Sequence, residues 1–164
     1  MKESSEHEQT AYSNTALTSL ESYFSQFTSD SSIFFYKNAT QNNLINITQD
    51  DGLEFQQLLL NDAPYYPSLS MNYSDNVFFI TNNGKLISTT NYSSQLVSDL
   101  SPTYITEILK KGDDFHGLPF LFGSTDDSDK LYICRNIYQW TGKTETTGKN
   151  RLGTLIVEPK ATVF

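Results

Sequence analysis

The sequence predicts an α+β fold in which a helical N-terminal third precedes strands joined by antiparallel hairpins. Three observations predict it. Apolar residues recur at spacings of three and four through the first third of the chain, and no Gly or Pro interrupts it before Gly52. After residue 75 the period becomes extended, with short apolar runs bounded by polar, Gly-containing segments. At 164 residues with 37% hydrophobic and 13% aromatic content, the chain holds enough apolar material for one core, so residues 1–164 are expected to form a single domain.

The leading helix is expected over 10–47. Ala16, Leu20, Tyr23 and Phe27 form its apolar stripe, and Leu17 and Phe24 broaden it. The run TSDSSI contains cap-forming residues, so a break is expected between Thr28 and Ser32, with a second helical piece through Phe34, Phe35, Asn38, Leu44 and Ile47. A further short helix is expected from Leu53 to Leu60, ended by Asp62 and Pro64. The sheet-forming core is placed at 75–158. Val77 to Ile80 reads as a strand, Asn83-Gly84 as a tight turn, and Lys85 to Thr89 as the returning strand. Between 91 and 111 the chain reads as loop and then helix, with Ser101-Pro102 as its start, Ile105, Ile108 and Leu109 as its apolar face and Gly112 as its end. Three more strands follow at Leu118 to Phe122, Leu131 to Gln139 and Leu152 to Val157, joined by the polar connections GSTDDSD and TGKTETTGKN.

Composition narrows function. Only 18% of residues are charged and the formal net charge is −8, which opposes both the phosphates of nucleic acid and an anionic membrane face. Ser, Thr and Asn supply roughly 30% of the chain, well above ordinary globular usage, and such a surface leans towards exported proteins. A single Cys, Cys134, allows no internal disulfide. No stretch approaches the length of an apolar spanning helix and no signal peptide follows Met1, while the polar opening KESSEHEQ suits a segment of a longer protein.

A search for chemistry returns little that is catalytic. His7, His116 and Cys134 are too widely separated for a metal site, and the cluster Asp126, Asp127 and Asp129 lacks the Gly and distal Glu of a calcium loop. There is no nucleophile elbow and no phosphate-binding Gly-rich loop, Cys134 sits inside an apolar strand, and Asp50-Asp51 and Asp113-Asp114 read as solvated surface pairs. No enzyme activity, cofactor or metal is expected.

Arg135 is more informative, because the chain has only two Arg and this one interrupts the strand LYICRNIYQW. Alternation places Tyr132, Cys134, Asn136, Tyr138 and Trp140 on one face and Leu131, Ile133, Arg135, Ile137 and Gln139 on the other. A guanidinium among apolar neighbours needs a partner, either an internal carboxylate or an anionic or hydroxyl-rich ligand. The aromatic and amide side chains of Tyr132, Asn136 and Tyr138 suit either a core face or a pocket for a small polar, sugar-like ligand. Phe115 and His116, before the third strand, and Tyr92, after the second, are rim candidates. Four N-x-[ST] sequons, at Asn38, Asn46, Asn72 and Asn91, arise easily in a chain so rich in these residues.

Four segments together resemble a Cache domain, the PAS-like extracytoplasmic sensor module of bacterial membrane receptors. FFYKNATQNNL is similar to the stretch closing the leading helix in Gram-positive sensor histidine kinases. PSLSMNYSDNVFFITNNGKLIST resembles the first Cache hairpin, KLYICRNIYQ the fourth strand and RLGTLIVEP the fifth. The likeness spans residues 12 to 158. It lacks the Arg-Trp-Tyr-Asp signature of amino-acid-binding Cache domains, and Phe115-His116-Gly117-Leu118-Pro119-Phe120 stands where many relatives carry Gly-x-x-Trp. The resemblance implies a five-stranded antiparallel sheet with the long helix on one face, and a ligand pocket on the other beneath the segment between strands two and three. It further implies an extracellular, non-catalytic sensor of a two-component histidine kinase, with transmembrane helices and a cytoplasmic transmitter outside these residues. The partner would be a small polar molecule, carbohydrate-related among the candidates, or a solute-binding protein, and a homodimer is allowed. The expected ligand-binding residues are Arg135, Tyr132, Asn136, Tyr138, His116 and Phe115. A secreted binding or adhesion module without signalling output is the alternative.

Overall fold

A computed structural model describes residues 2–46, 57, 61, 65–70, 72–82, 84–88, 102–123, 131–139 and 150–161. Helix α1 (Lys2–Ser31) is about 45 Å long at 1.5 Å per residue. Tyr23 and Phe27 are its buried side chains in the core and Leu20 and Phe24 pack partly against it, so the expected stripe is present. Leu17 departs from it: the residue lies one turn ahead of the packed part of the helix and is 55% exposed. The break falls where expected, because Thr28 Oγ1 donates to Phe24 O at 2.8 Å and Ser32 Oγ to Thr28 O at 2.8 Å, and such back-bonding competes with continued helix. Two short pieces follow instead of one. Helix α2 (Ile33–Tyr36) ends at Lys37, whose backbone is extended, and α3 (Asn38–Asn46) begins after it. Gln41 ties these pieces to the sheet by donating to Phe34 O and, at 3.1 Å, to Tyr138 O. Most of the expected helix over 53–60 lies outside the described residues, and Gln57 within it is helical.

All five expected strands are found: β1 (Ser74–Thr81), β2 (Leu86–Ser88), β3 (Phe120–Gly123), β4 (Leu131–Tyr138) and β5 (Arg151–Pro159). They form one antiparallel sheet in the order β2-β1-β5-β4-β3. Gly84 takes φ +83° in the β1–β2 turn and its N–H donates to Thr81 O at 2.9 Å. Helix α4 (Pro102–Phe115) runs one turn past the expected stop at Gly112. Its end is made by His116 and Gly117, both at positive φ, which the helix cannot continue through.

The sheet is covered on both sides, which is why β1 reads as an unbroken apolar run. Val77, Phe79, Ile133, Ile137, Leu155 and Val157 face one way, packing with Phe27 of α1, Phe34 of α2 and Leu44 of α3. Phe78, Ile80, Tyr132, Cys134 and Ile156 face the other, packing with Ile108 of α4 and with Phe120 and Phe122. The expected alternation of β4 is therefore observed. At the sheet's centre β5 approaches β1 so closely that a Cβ on Gly153 would stand 2.3 Å from Ile80 O and 2.5 Å from the Phe79 ring. Because the first obstacle is backbone, Gly153→Ala is expected to destabilise the fold by about 1–3 kcal/mol. Urea unfolding measures it, and an unchanged midpoint would contradict the packing at this crossing.

Candidate functional site

On the α4 side the sheet carries a polar cluster where the expected pocket residues stand. Asn136 and Thr154 are register partners in β4 and β5, and both are fully buried. Thr154 Oγ1 donates to Asn136 Oδ1 at 2.5 Å, while Asn136 Nδ2 makes two long bonds, 3.4 Å each, to Asp113 Oδ1 and the Tyr138 hydroxyl. Helix α4 reaches this amide because residue 112 has no side chain: a Cβ there would lie 2.3 Å from Asn136 Oδ1. Above the amide, Arg151 Nη1 pairs with Asp113 Oδ1 at 2.5 Å and Arg151 Nε donates to Asn82 Oδ1 at 2.8 Å. Burial pushes the Tyr138 phenol up, with the Asp113 charge adding to it and the Asn136 bond and Arg151 opposing. Asn136 and Thr154 are fully buried and Tyr138 nearly so, and these groups satisfy one another between the sheet and α4. The buried Cys134 thiol is pushed far up by desolvation, which suits packing and not attack.

The structure separates the six expected residues into four places. Asn136 and Tyr138 share the cluster. Tyr132 is on the same face but sits in the apolar core, edge-on to Phe78 with centroids 6.2 Å apart. Phe115 and His116 lie at the end of α4 towards β3, where Phe115 stacks on Phe120 at 5.0 Å and His116 is exposed. Arg135 points through the opposite face. Its Nη1 donates to Thr28 O at 2.9 Å and to Ser31 Oγ at 2.8 Å, and its Nε donates to Gly117 O at 2.7 Å. The Phe35 ring stacks beneath it at 4.7 Å. Its partner is thus neither of the expected kinds but a helix terminus, whose unpaired carbonyls and dipole favour a cation. Burial lowers the Arg135 pKa, with Tyr36 acting the other way.

Sequence reasoning passed over Thr154, Asp113, Arg151 and Gly112. The register opposite Asn136 was the missing signal for Thr154, and the rarity of Arg applied to Arg151 as much as to Arg135. Tyr92, Trp140, Asp126, Asp127 and Asp129 lie outside the described residues. Among the described residues no group of three His, Cys, Asp or Glu side chains is placed to hold a metal ion.

A second buried polar network fixes α1 to the segment before β1. Asp30 Oδ2 accepts from Ser68 N at 2.9 Å and Ser68 Oγ at 2.6 Å, and Asp30 Oδ1 accepts from Gln26 Nε2 at 2.8 Å. The Tyr23 hydroxyl donates to Ser68 O at 3.1 Å and shares a 2.5 Å bond with Ser74 Oγ. Burial pushes the Tyr23 phenol up to about 12, the Asp30 charge adds to this, and the Ser74 bond opposes it.

Two outcomes follow from these networks. Asn136→Ala leaves the buried Thr154 hydroxyl without its acceptor and is expected to cost about 1–3 kcal/mol, whereas Asn136→Ala with Thr154→Val should recover part of that loss. Strictly additive urea midpoints would show that the pair is not coupled. Tyr23 ionises near 10 when unfolded and near 12 when folded, so its contribution is complete below pH 10 and is lost as pH rises towards 12. Tyr23→Phe should flatten the fall in stability over that window, and an unchanged alkaline profile would contradict the assignment. No family model matches the chain, and no curated protein and no solved structure matches it either.

Proposed function

We propose that the chain is the extracellular sensor domain of a two-component histidine kinase, which binds a small polar molecule or a partner protein and passes the change on through α1. The observation that carries this reading is the position of the Arg135 guanidinium. A sensor must convert an event at one surface into displacement of an element elsewhere, by no more than the ligand's differential affinity for the two arrangements. Arg135 bonds at once to Gly117 O, at the end of α4, and to Thr28 O, in the last turn of α1. Movement of α4 over the Asn136 cluster therefore reaches the end of α1 through one rigid, planar group. Three further features support the reading: the leading helix on one sheet face, α4 from the β2–β3 connection on the other, and the Cache-like order of motifs. Among the described residues no helix is long and apolar enough to cross a membrane.

The test is thermal unfolding against sugars, organic acids and amino acids at millimolar concentration, followed by hydrogen exchange with any compound that binds. A ligand at about 100 times its dissociation constant adds roughly 2.7 kcal/mol, a rise of several degrees for a domain of this size. Exchange should then slow together near Gly117 and in residues 28–32. Arg135→Met should fold at a cost of about 1.5–3 kcal/mol and confine the change to one side. Ligand binding that leaves residues 28–32 unchanged in the unsubstituted protein would overturn transmission through Arg135, and no shift across the panel would overturn direct small-molecule sensing.

A further inference from the structure

A groove of about 610 Å³ runs along the outer side of α1, away from the Asn136 cluster, between Ser19, Ser22 and Gln26 on the helix and Asn72 and Tyr73 on the facing segment. Its size falls within the roughly 300–1,000 Å³ of small-molecule sites. The floor is the Tyr23–Ser68 pair, both residues buried and held by the bonds to Ser74 and Asp30 described above. Gln26 on the rim is exposed, yet its amide is oriented by the bond to Asp30, so its carbonyl oxygen and second N–H remain for a ligand. We infer that this groove is a binding site for a neutral hydroxylated ligand of mono- or disaccharide size.

The lining decides the chemistry. Every described lining residue is uncharged, and all but Pro67 offer a hydroxyl or a carboxamide. An anion entering would lose hydration with no positive charge to replace it, and the net charge of −8 opposes it further; the one carboxylate behind the floor, Asp30, is buried with its oxygens engaged by Ser68 and Gln26, which leaves a cation without a direct partner. A purely apolar ligand would strip water from these hydroxyls and amides without returning hydrogen bonds. A polyol exchanges its water bonds for equivalent ones, because each of its hydroxyls both donates and accepts: the amides of Gln26 and Asn72 offer donors and acceptors, while the Thr18 hydroxyl, whose proton goes to Asn14 O, remains an acceptor. Tyr73, 49% exposed, supplies an aromatic plane for the C–H face of a sugar ring. The walls are also pre-organised: α1 cannot shift against residues 67–74 without breaking the Asp30–Ser68 and Tyr23–Ser74 bonds.

The experiment is an amide-resolved NMR titration of the 164-residue chain with glucose, xylose, maltose and myo-inositol, with glucuronate as the charged counterpart of glucose. At least one neutral probe should give saturable shifts at the amides of Ser19, Ser22 and Ser68. Gln26→Ala and Tyr73→Ala, both at exposed positions, should each weaken it by about tenfold or more, and Thr18→Trp, at the exposed rim, should block it by filling the groove. Absence of saturable binding by every neutral probe, tighter binding of glucuronate than of glucose, or binding that all three substitutions leave unchanged would overturn the site. Because the groove lies away from Gly117 and α4, saturable binding here stands whether or not exchange near Gly117 changes, so the two readings fail separately.

Discussion

The structure turns on how one guanidinium is satisfied without a carboxylate. In a chain with few charges, Arg135 stands in a central part of the sheet and reaches three separate pieces of backbone and side chain with neutral oxygens only. That arrangement works because the last turn of a helix concentrates carbonyl oxygens that have no intrahelical donor, and the aligned peptides add partial negative charge there. The 30-residue α1 supplies that terminus, and the Ser31 and Ser32 hydroxyls add two further acceptors around Nη1. The guanidinium in return fixes where α1 stops and how it meets β4. A lysine would satisfy one of these acceptors well and the others poorly, since its single ammonium cannot span Gly117 and Thr28 in one plane.

Around that anchor, the two sides of the sheet are held by different physics. The α1–α3 side is a broad aromatic and aliphatic core in which Phe27, Phe34 and Phe79 are fully buried. The α4 side mixes a smaller apolar cluster with Asn136 and Thr154, and the helix approaches so closely only because Gly112 lies over the amide. Helix α4 also protects the sheet's edge. Lys111 Nζ donates to Leu121 O at 2.8 Å, occupying an acceptor that would otherwise invite another strand to add to β3. Its ammonium lies 5.9 Å and 6.0 Å from the centroids of Phe120 and Phe122, so the same side chain covers aromatic surface and backbone together. The α4 layer is therefore placed by the buried Ile108 together with Gly112, Lys111 and the Arg151–Asp113 pair.

How legible this was in the sequence depended on the range of the interaction. Periodicity is local, so the packed half of α1, the unbroken run of β1 and the alternation of β4 could all be read directly. The break after Thr28 was readable because Ser and Thr carry their competing bonds within four residues. What could not be read was distance. The partner of Arg135 lies 107 residues earlier, at Thr28, and nothing local marks a serine-rich helix end as a cation site. Asp113 looked like one of two solvated neighbours until the β4–β5 register and Gly112 brought it over Asn136 and beside Arg151. Grouping Arg135 with Asn136 and Tyr138 followed from their closeness in sequence, yet alternation already set them on opposite faces.

The excess of hydroxyls is where composition, fold and function meet. At three of the buried polar junctions a Ser or Thr does what an ion pair often does elsewhere: Ser31 for Arg135, Ser68 and Ser74 for Tyr23, Thr154 for Asn136. Hydrogen bonds between neutral groups are not screened by salt, whereas exposed pairs are, with a range of about 8–10 Å at ordinary ionic strength. The Arg151–Asp113 pair is open to such screening, since the Asp113 side chain is 46% exposed. Ionic strength therefore acts on α4, through the Arg151–Asp113 pair that ties it to β5, and much less on the buried Asp30–Ser68 and Tyr23–Ser74 bonds of α1. A domain built this way holds α1 steady while its ionic surroundings change.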